Sequence, residues 1–265
     1  MQPPKRTGVK SSGKDVEVRR QAIMKAVQQA GNKSVDEIAS MLGISKMTVH
    51  RDLDALSMKG LVRKERGRAV AGNSLLFESN FQFRLSQNVD IKVKIAKSAA
   101  QLIAPGKVII LDDSTTTMHI VENIIDIPSL TIITNSLSIV NSISNINTIK
   151  LIGIGGNFDR NFQAFLGLDC ERAIMEHRAD IAFLSSSSVT GLTAYHQNED
   201  VIRAKRAMMH SAEKTAFLSD HTKFSRNALT KFCDLDQFDH VFVDRNIAES
   251  EKAFLLENDV NITLV

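Results

Sequence analysis

The sequence predicts an α/β chain in two parts: a small, basic, helical head and a larger body built on a mostly parallel sheet. Three observations carry this. Residues 1–72 hold 15 Lys and Arg against 7 Asp and Glu, whereas the rest of the chain holds 18 against 23. Up to about residue 60 the apolar positions recur with a helical period and break at glycines. From Ile91 the texture changes to short Val/Ile/Leu-rich runs separated by helical stretches. Continuous apolar strands alternating with helices imply a parallel sheet covered on both faces. A length of 265 residues suits one large domain or two ordinary ones, and 43% hydrophobic content excludes a wholly disordered chain.

Several function classes fall away early. No window approaches the roughly 18–20 apolar residues of a membrane span. Met1–Lys14 is polar and basic and is no secretory signal. Cys170 and Cys233 form neither a metal spacing nor a disulfide framework and are expected as buried free thiols. These features place the protein in the cytoplasm, with no metal and no cofactor. Trp is absent and Tyr occurs once, so little suggests an aromatic ligand cage. A basic head on a mildly acidic body suits a polyanion partner for the head, the alternative being a basic segment that only solvates the chain.

Residues 1–14, with Pro3, Pro4, Gly8, Ser11, Ser12, Gly13 and four Lys/Arg, read as a flexible basic arm. Residues 15–71 form the head. Val16, Ile23, Val27 and Ala30 give a first helix that stops at Gly31. Val35–Leu42 gives a second, capped by Ser34 and ended by Gly43. Ser45 caps a third that runs to about Lys59 and stops at Gly60. LVRKERGRAVA (61–71) then reads as a small β-hairpin around Gly67. Residues 72–90 are weakly periodic and read as a linker or connecting helix, and 91–265 as the body.

The second and third helices carry a specific pattern. Ala39 is small where two helices approach, Gly43 falls where φ > 0 is often required, and Ile44 and Val49 can pack back on the preceding helix. Val49, Leu53 and Leu56 share one face; Lys46, Met47, His50, Arg51 and Asp54 occupy the other. One face locks the pair and the other is free to enter a DNA major groove, a helix-turn-helix. Any small helical hairpin can show such offsets. The basic hairpin that follows, with Arg63, Lys64, Arg66 and Arg68, favours a wing lying along phosphates. Base choice is expected from Ser45, Lys46, Met47, Thr48, His50 and Arg51.

The stretch from Arg19 to Gly67 resembles the N-terminal domain of DeoR-type bacterial transcription regulators, a winged helix-turn-helix. The family's recognition helix reads S-x-x-T-I/V-R-R-D-L; here it stands as Ser45-Lys46-Met47-Thr48-Val49-His50-Arg51-Asp52-Leu53, followed by Leu56, Gly60, Leu61 and Arg63. His50 stands where the family carries Arg, and Arg66-Gly67-Arg68 replaces its His-Gly-Gly wing tip. The expectation is that some positional specificity has been exchanged for phosphate affinity. The resemblance continues over most of residues 91–265. It implies a body similar in fold to pentose-phosphate isomerases that binds a phosphorylated sugar or related metabolite as effector.

Within the body, a helix is expected at Ile91–Ile103 and apolar strands at 108–111, 131–134, 148–153, 180–184, 215–219 and 240–244. VIILDDSTTTMHIVENI reads as strand, polar loop, helix. Ser114, Thr115, Thr116 and Thr117 offer hydroxyls beside helix-start N–H groups, a combination that favours phosphate, and Asp112 can accept sugar hydroxyls. The alternative is a capped helix with no ligand. The family usually has Gly where Ser114 stands. Asn135 and Ser136 match the family's T-N-S, and Gly155-Gly156 its paired glycines, an ordinary tight turn being equally open. Ser187 and Ser188 stand near positions where relatives tend to have Gly. Arg203 or Lys205 can reach an anionic ligand from the next helix, or simply face solvent. Asp220 and Lys223 match the family's D-x-x-K-F: a carboxylate for sugar hydroxyls and an ammonium for phosphate, or a local ion pair capping a turn.

Two classes remain. One is a DNA-binding regulator, expected to be a repressor of carbohydrate-metabolism genes that acts as a homo-oligomer on a double-stranded operator under control of a phosphorylated sugar. The alternative is a phosphosugar isomerase-like enzyme, for which Asp112, Asp220 and Lys223 would have to supply base and oxyanion stabiliser. A constitutive repressor that no longer binds an effector is a third reading, motivated by Ser114 and Ser187/Ser188. In the first, ligand at loops 112–117, 155–156 and 220–223 changes how the bodies pair, and the linker converts that into altered head spacing.

Overall fold

The computed structural model describes residues 13–58, 61–71 and 80–265. The chain divides into two compact units, residues 1–83 and 84–265. Most of the expected arm (1–12), Lys59, Gly60 and residues 72–79 of the expected linker lie outside the described residues.

In the first unit, α1 (Gly13–Ala30) takes in the last two residues assigned to the arm. It is followed by β1 (Asn32–Ser34), α2 (Val35–Leu42), α3 (Lys46–Met58), β2 (Val62–Glu65) and β3 (Arg68–Ala71). The α2 boundaries follow from local chemistry. Ser34 Oγ accepts the Glu37 N–H at 3.1 Å and Glu37 Oε2 accepts the Ser34 N–H at 2.6 Å, a reciprocal capping box. Gly43 ends the helix in the left-handed region, φ 63°. Ile23, Val27, Ile38, Val49, Leu53, Leu56 and Ala69 form one apolar cluster, so the face shared by Val49, Leu53 and Leu56 is the buried one. The strand β1 was not legible in the sequence. It is short and polar, and exists because it pairs antiparallel with β3, giving the order β1-β3-β2. The wing turns at Arg66 and Gly67, both at positive φ (44° and 78°), as a two-residue type I′ hairpin requires.

A short helix, α4 (Phe81–Ser86), contains the boundary residues Phe83 and Arg84. The second unit continues with α5 (Val89–Ala99), which becomes a 3-10 turn at Ala100–Leu102 instead of an α-helix to Ile103. Then come β4 (Val108–Leu111), β5 (Leu130–Thr134), α6 (Leu137–Ile143), β6 (Ile149–Gly153), β7 (Asn157–Asp159), β8 (Ala164–Leu166), α7 (Leu168–Met175) and β9 (Ala179–Leu184). The chain closes with β10 (Ser188–Thr190), β11 (Thr193–His196), α8 (Glu199–His210), β12 (Ala212–Ser219), β13 (Thr230–Asp234), β14 (His240–Val243), α9 (Glu249–Glu257) and β15 (Ile262–Leu264).

Seven strands pair in the order β15-β14-β12-β9-β4-β5-β6, with parallel registers throughout. Side chains alternate between two cores. Ile110, Ala182, Leu184, Phe217 and Val241 lie with α7 and α8 residues such as Ile174 and Val201. Ile109, Leu111, Ile181, Phe183 and Leu218 lie with Ile95, Ile120, Ile139 and Ile143. Burial on both faces explains why these strands read as unbroken apolar runs. The chain runs outward from β4 through β5 to β6, then returns to β9 on the other side of β4. The crevice between β4 and β9 is therefore the switch point of the sheet, where open α/β sheets bind ligands at the strands' C-terminal ends. One expected helix is different. After the 112–117 loop the chain forms a seven-residue 3-10 segment, Thr117–Asn123, not an α-helix, so the loop does not lead into the aligned N–H groups of an α-helical start.

Candidate functional site

In the first unit, Lys46, Met47, His50 and Arg51 lie exposed on one side of α3, with Met47 65% accessible. Ser45 Oγ accepts the Thr48 N–H at 3.2 Å and contacts Thr48 Oγ1 at 2.9 Å, so the Ser45 hydroxyl expected to read bases also caps the helix and engages that of Thr48. Asp52 is buried beneath the face. It accepts from Arg19 Nε at 2.5 Å and Arg20 Nε at 3.0 Å, which ties α3 to α1. That hydrogen bond raises the Arg19 guanidinium's pKa against the opposing effect of burial.

Four exposed cations of this unit have acidic neighbours. Lys46 pairs with Asp36 at 2.7 Å, Lys64 with Asp54 at 2.5 Å, Arg63 with Glu65 at 3.4 Å and Arg68 with Glu37 at 3.5 Å. Pairs this exposed contribute little to stability and exchange readily for another anion. Arg66 is exposed at the wing tip.

In the second unit, most of the expected ligand groups follow the C-terminal ends of β4, β5, β6 and β12, but several have other duties. The clearest correction concerns Asp112, which was expected to hold sugar hydroxyls. Its Oδ1 accepts the Ser114 N–H at 2.9 Å and Thr117 Oγ1 at 2.6 Å. Its Oδ2 accepts the Ser185 N–H at 2.8 Å and the Lys205 ammonium. Four donors fill a carboxylate's acceptor capacity, so Asp112 clasps the ends of β4 and β9 together.

Lys205 is corrected with it. Its ammonium lies between Asp112 and Asp113, 2.9 Å from Asp113 Oδ1, and all three side chains are at most 2% exposed. Burial alone would lower the Lys205 pKa, but the two carboxylates carry it above the ordinary range. The other candidate, Arg203, is exposed and 3.9 Å from Glu199. Gly156 is also accounted for by packing. It sits at φ 140°, where a Cβ would come 2.6 Å from the Leu166 carbonyl oxygen and 3.0 Å from Cys170 Cβ. Gly155 has open space instead.

The remaining loop residues are all buried. Ser114 and Thr117 bond to each other at 2.9 Å, and Ser136 caps α6 through the Ile139 N–H at 3.4 Å. Thr116 is 2% exposed and Asn135 1%. Thr115 Oγ1 accepts from Lys92 Nζ at 3.0 Å, and Lys92 also donates to the Arg84 carbonyl. Asp220 Oδ1 accepts from the Thr222 N–H at 3.0 Å, from the Thr222 hydroxyl and from Asn88 Nδ2 at 3.1 Å. Burial would raise the Asp220 carboxyl, but Lys223, the Thr222 hydroxyl, Arg226 and Lys92 hold it below the usual range. Around it, Arg226 Nη2 donates to the Thr222 hydroxyl at 2.9 Å, and Lys92 is held by Thr115.

Next to this cluster, Asp113 is ionised. Burial works against its charge, while Lys205 and Arg84 outweigh burial and lower its pKa. His196 is fully buried; desolvation, then the nearby Lys205 charge, pushes it down to about 3. Its Nδ1 lies 3.1 Å from the Asn198 N–H and 3.3 Å from the Asn198 carbonyl oxygen. The Arg84 guanidinium lies 5.4 Å over the Phe162 ring. Cys170 and Cys233 are buried free thiols as expected, each pushed up to about 12 chiefly by burial.

Sequence reasoning missed Arg84, Asn88, Lys92, Asp113, His196 and Arg226. Lys92 occupies a helix whose polar positions look like a solvated face, and Arg84 and Asn88 fall in the segment taken for a linker. The one available signal was the doubled acid, Asp112-Asp113, at a strand end. Among the described residues no group of three or more His, Cys, Asp or Glu could hold a metal, and no helix is long and apolar enough to cross a membrane.

Comparison with known proteins bears on both units. Residues 19–74 match the model of the DeoR-like helix-turn-helix domain, and residues 87–245 match that of the DeoR C-terminal sensor domain. The chain is 31% identical to the L-fucose operon activator of Haemophilus influenzae, covering 93% of this chain and 99% of that protein. It is 32% identical to the lactose phosphotransferase system repressor of Staphylococcus epidermidis, covering 87% and 92%. It is 27% identical to the glycerol-3-phosphate regulon repressor of Haemophilus influenzae, covering 93% and 96%. Among solved structures it is similar to ribose 5-phosphate isomerase A from Methanocaldococcus jannaschii, with TM-score 0.39 and 21% identity over 52% of this chain and 55% of that one.

Proposed function

Because the chain belongs to the DeoR family of DNA-binding transcription regulators, which are not enzymes and respond to sugar-phosphate metabolites, we propose that it is a homo-oligomeric repressor of carbohydrate-metabolism genes with a phosphorylated sugar as effector. The observation that carries this reading is the hydrogen-bonded group of Asp220, Thr222, Asn88 and Arg226 beyond β12, with the Lys92 ammonium on the Thr115 hydroxyl beyond β4, both at the C-terminal edge of the sheet. Charge-assisted donors and hydroxyls gathered in a low-dielectric setting suit a phosphate. The exposed face of α3 and the wing cations Arg63, Lys64, Arg66 and Arg68 are the surface we assign to the operator. The named relatives that act on fucose, lactose and glycerol-3-phosphate systems include both repressors and an activator; repression is the sign we assign.

Control follows from competition. The Arg84 carbonyl accepts from Lys92, and Asn88 donates to Asp220 and, at 3.3 Å, to Thr222. A phosphate that recruits Lys92 or Thr115 competes with those contacts, and residues 72–90 carry the change toward the head. The effector can act only through its differential affinity for two arrangements.

The test titrates the full chain against an operator fragment and a mixed-sequence fragment over a salt series, with and without a panel of sugar phosphates. Affinity should fall steeply with salt for both fragments. One panel member should weaken operator binding by about fivefold or more. Absence of salt-sensitive association with any fragment sinks the DNA-binding reading. Unchanged operator affinity at a ligand concentration that saturates a thermal shift sinks the effector reading.

A further inference from the structure

Asp113 is one residue beyond Asp112 and differs from it in one respect. Its Oδ1 is taken by Lys205 at 2.9 Å, whereas its Oδ2 is buried and accepts no hydrogen bond. Asn135 has the same defect. Its Nδ2 donates to the Phe165 carbonyl at 2.9 Å, while its Oδ1 is buried and accepts nothing. The two residues follow adjacent parallel strands whose last registered pair is Leu111 and Thr134, so their backbones leave the sheet about one strand spacing, ~4.8 Å, apart.

Native interiors leave few acceptors without donors, and two at one strand-end crevice indicate a donor that arrives from outside. The surroundings define that donor. Lys205 and Arg84 already act on Asp113, and His196 beside it is neutral. A ligand ammonium would meet two resident cations, whereas a hydroxyl meets only acceptors.

We propose that Asp113 and Asn135 are the hydroxyl-reading end of the effector site, each accepting a hydrogen bond from a hydroxyl of a polyol. This rests on the effector reading above for the anionic end, at Lys92, Lys223 and Arg226. It assigns sugar discrimination to Asp113 and leaves Asp112 as the clasp.

Calorimetric titration of the full-length protein and of Asp113→Asn tests it. The probes are inorganic phosphate, ribose 5-phosphate, glucose 6-phosphate, glycerol 3-phosphate, the parent polyols and single-deoxy analogues of the phosphate that binds best. Asp113→Asn should weaken binding of that polyol phosphate by about tenfold or more and change inorganic phosphate binding by less than about twofold. One deoxy analogue should suffer a similar loss with the wild type and no further loss with the variant, the non-additivity expected of groups in contact. Equal losses for phosphate and polyol phosphate would mean a structural role and overturn the proposal, as would unchanged binding of every probe, the signature of an ordered water. If the variant does not fold, the deoxy series on the wild type decides: no analogue losing affinity overturns it. Binding of an unphosphorylated polyol as tightly as its phosphate, with the Asp113→Asn loss intact, would defeat the phosphate reading and leave this proposal standing. No binding of any polyol would defeat both.

Discussion

Lys46, Lys64 and Arg68 of the head each pair with one carboxylate, and all six side chains are at least 38% exposed. Lys205 of the body pairs with two, and none of its trio is more than 2% exposed. The chemistry is the same and the consequences differ. In water an exposed pair is worth about 0–1 kcal/mol and is screened by salt, so the head can trade its carboxylates for other anions at little cost. In the body, desolvation forbids such a trade. A cation taken away there strands two charges that water cannot reach. The head's charges are arranged for exchange and the body's for rigidity.

The largest expected effect comes from breaking the buried trio. Lys205→Ala should destabilise the body by roughly 3–5 kcal/mol, read as a lower urea midpoint of its transition, while the head's helical signal persists. A cost below about 1 kcal/mol would erase the contrast between the units.

The next effect sharpens it through pH. His196 is neutral in the folded body, with a pKa of about 3 against roughly 6.5 when exposed. The unfolded chain therefore binds the extra proton between those values, and stability is lost as pH falls below about 6.5. From pH 6.5 to 5 the loss from this group is about 1.6 kcal/mol. His196→Gln should flatten that part of the stability–pH curve, as followed by denaturant titration at each pH. A variant curve parallel to the wild type would remove His196 from the account.

The smallest effect belongs to the head. Lys64→Ala should change stability by less than about 1 kcal/mol yet reduce the slope of log affinity against log salt for DNA by about one. A large stability loss with an unchanged slope would mean that the Lys64–Asp54 pair is structural, contrary to its exposure.

How much was legible depended on how local the cause was. The Ser34–Glu37 box, the left-handed Gly43 and the buried stripe Val49, Leu53 and Leu56 follow from residues a few positions apart, and the helices formed where the pattern put them. The six parallel strands read from apolar runs formed too. The edge strand β15 and the antiparallel pieces β10, β11 and β13 did not announce themselves, because they are short and half-polar and exist through pairing with distant partners. The site divided in the same way. Asp112, Asp220, Lys223 and the 114–117 hydroxyls were visible as polar groups at strand ends, but their roles were not.

By itself the sequence determined the two-part organisation, the capped recognition helix with its basic wing, and the strand ends where polar residues gather. Periodicity, capping and charge act within a few residues of chain. Only the tertiary structure decided that Asp112 is saturated by donors from residues 114, 117, 185 and 205, that Lys205 is spent on two carboxylates, and that Lys92 and Arg84 point inward. Those outcomes depend on which distant groups share a buried, weakly screening interior, and that proximity is created by the folded sheet.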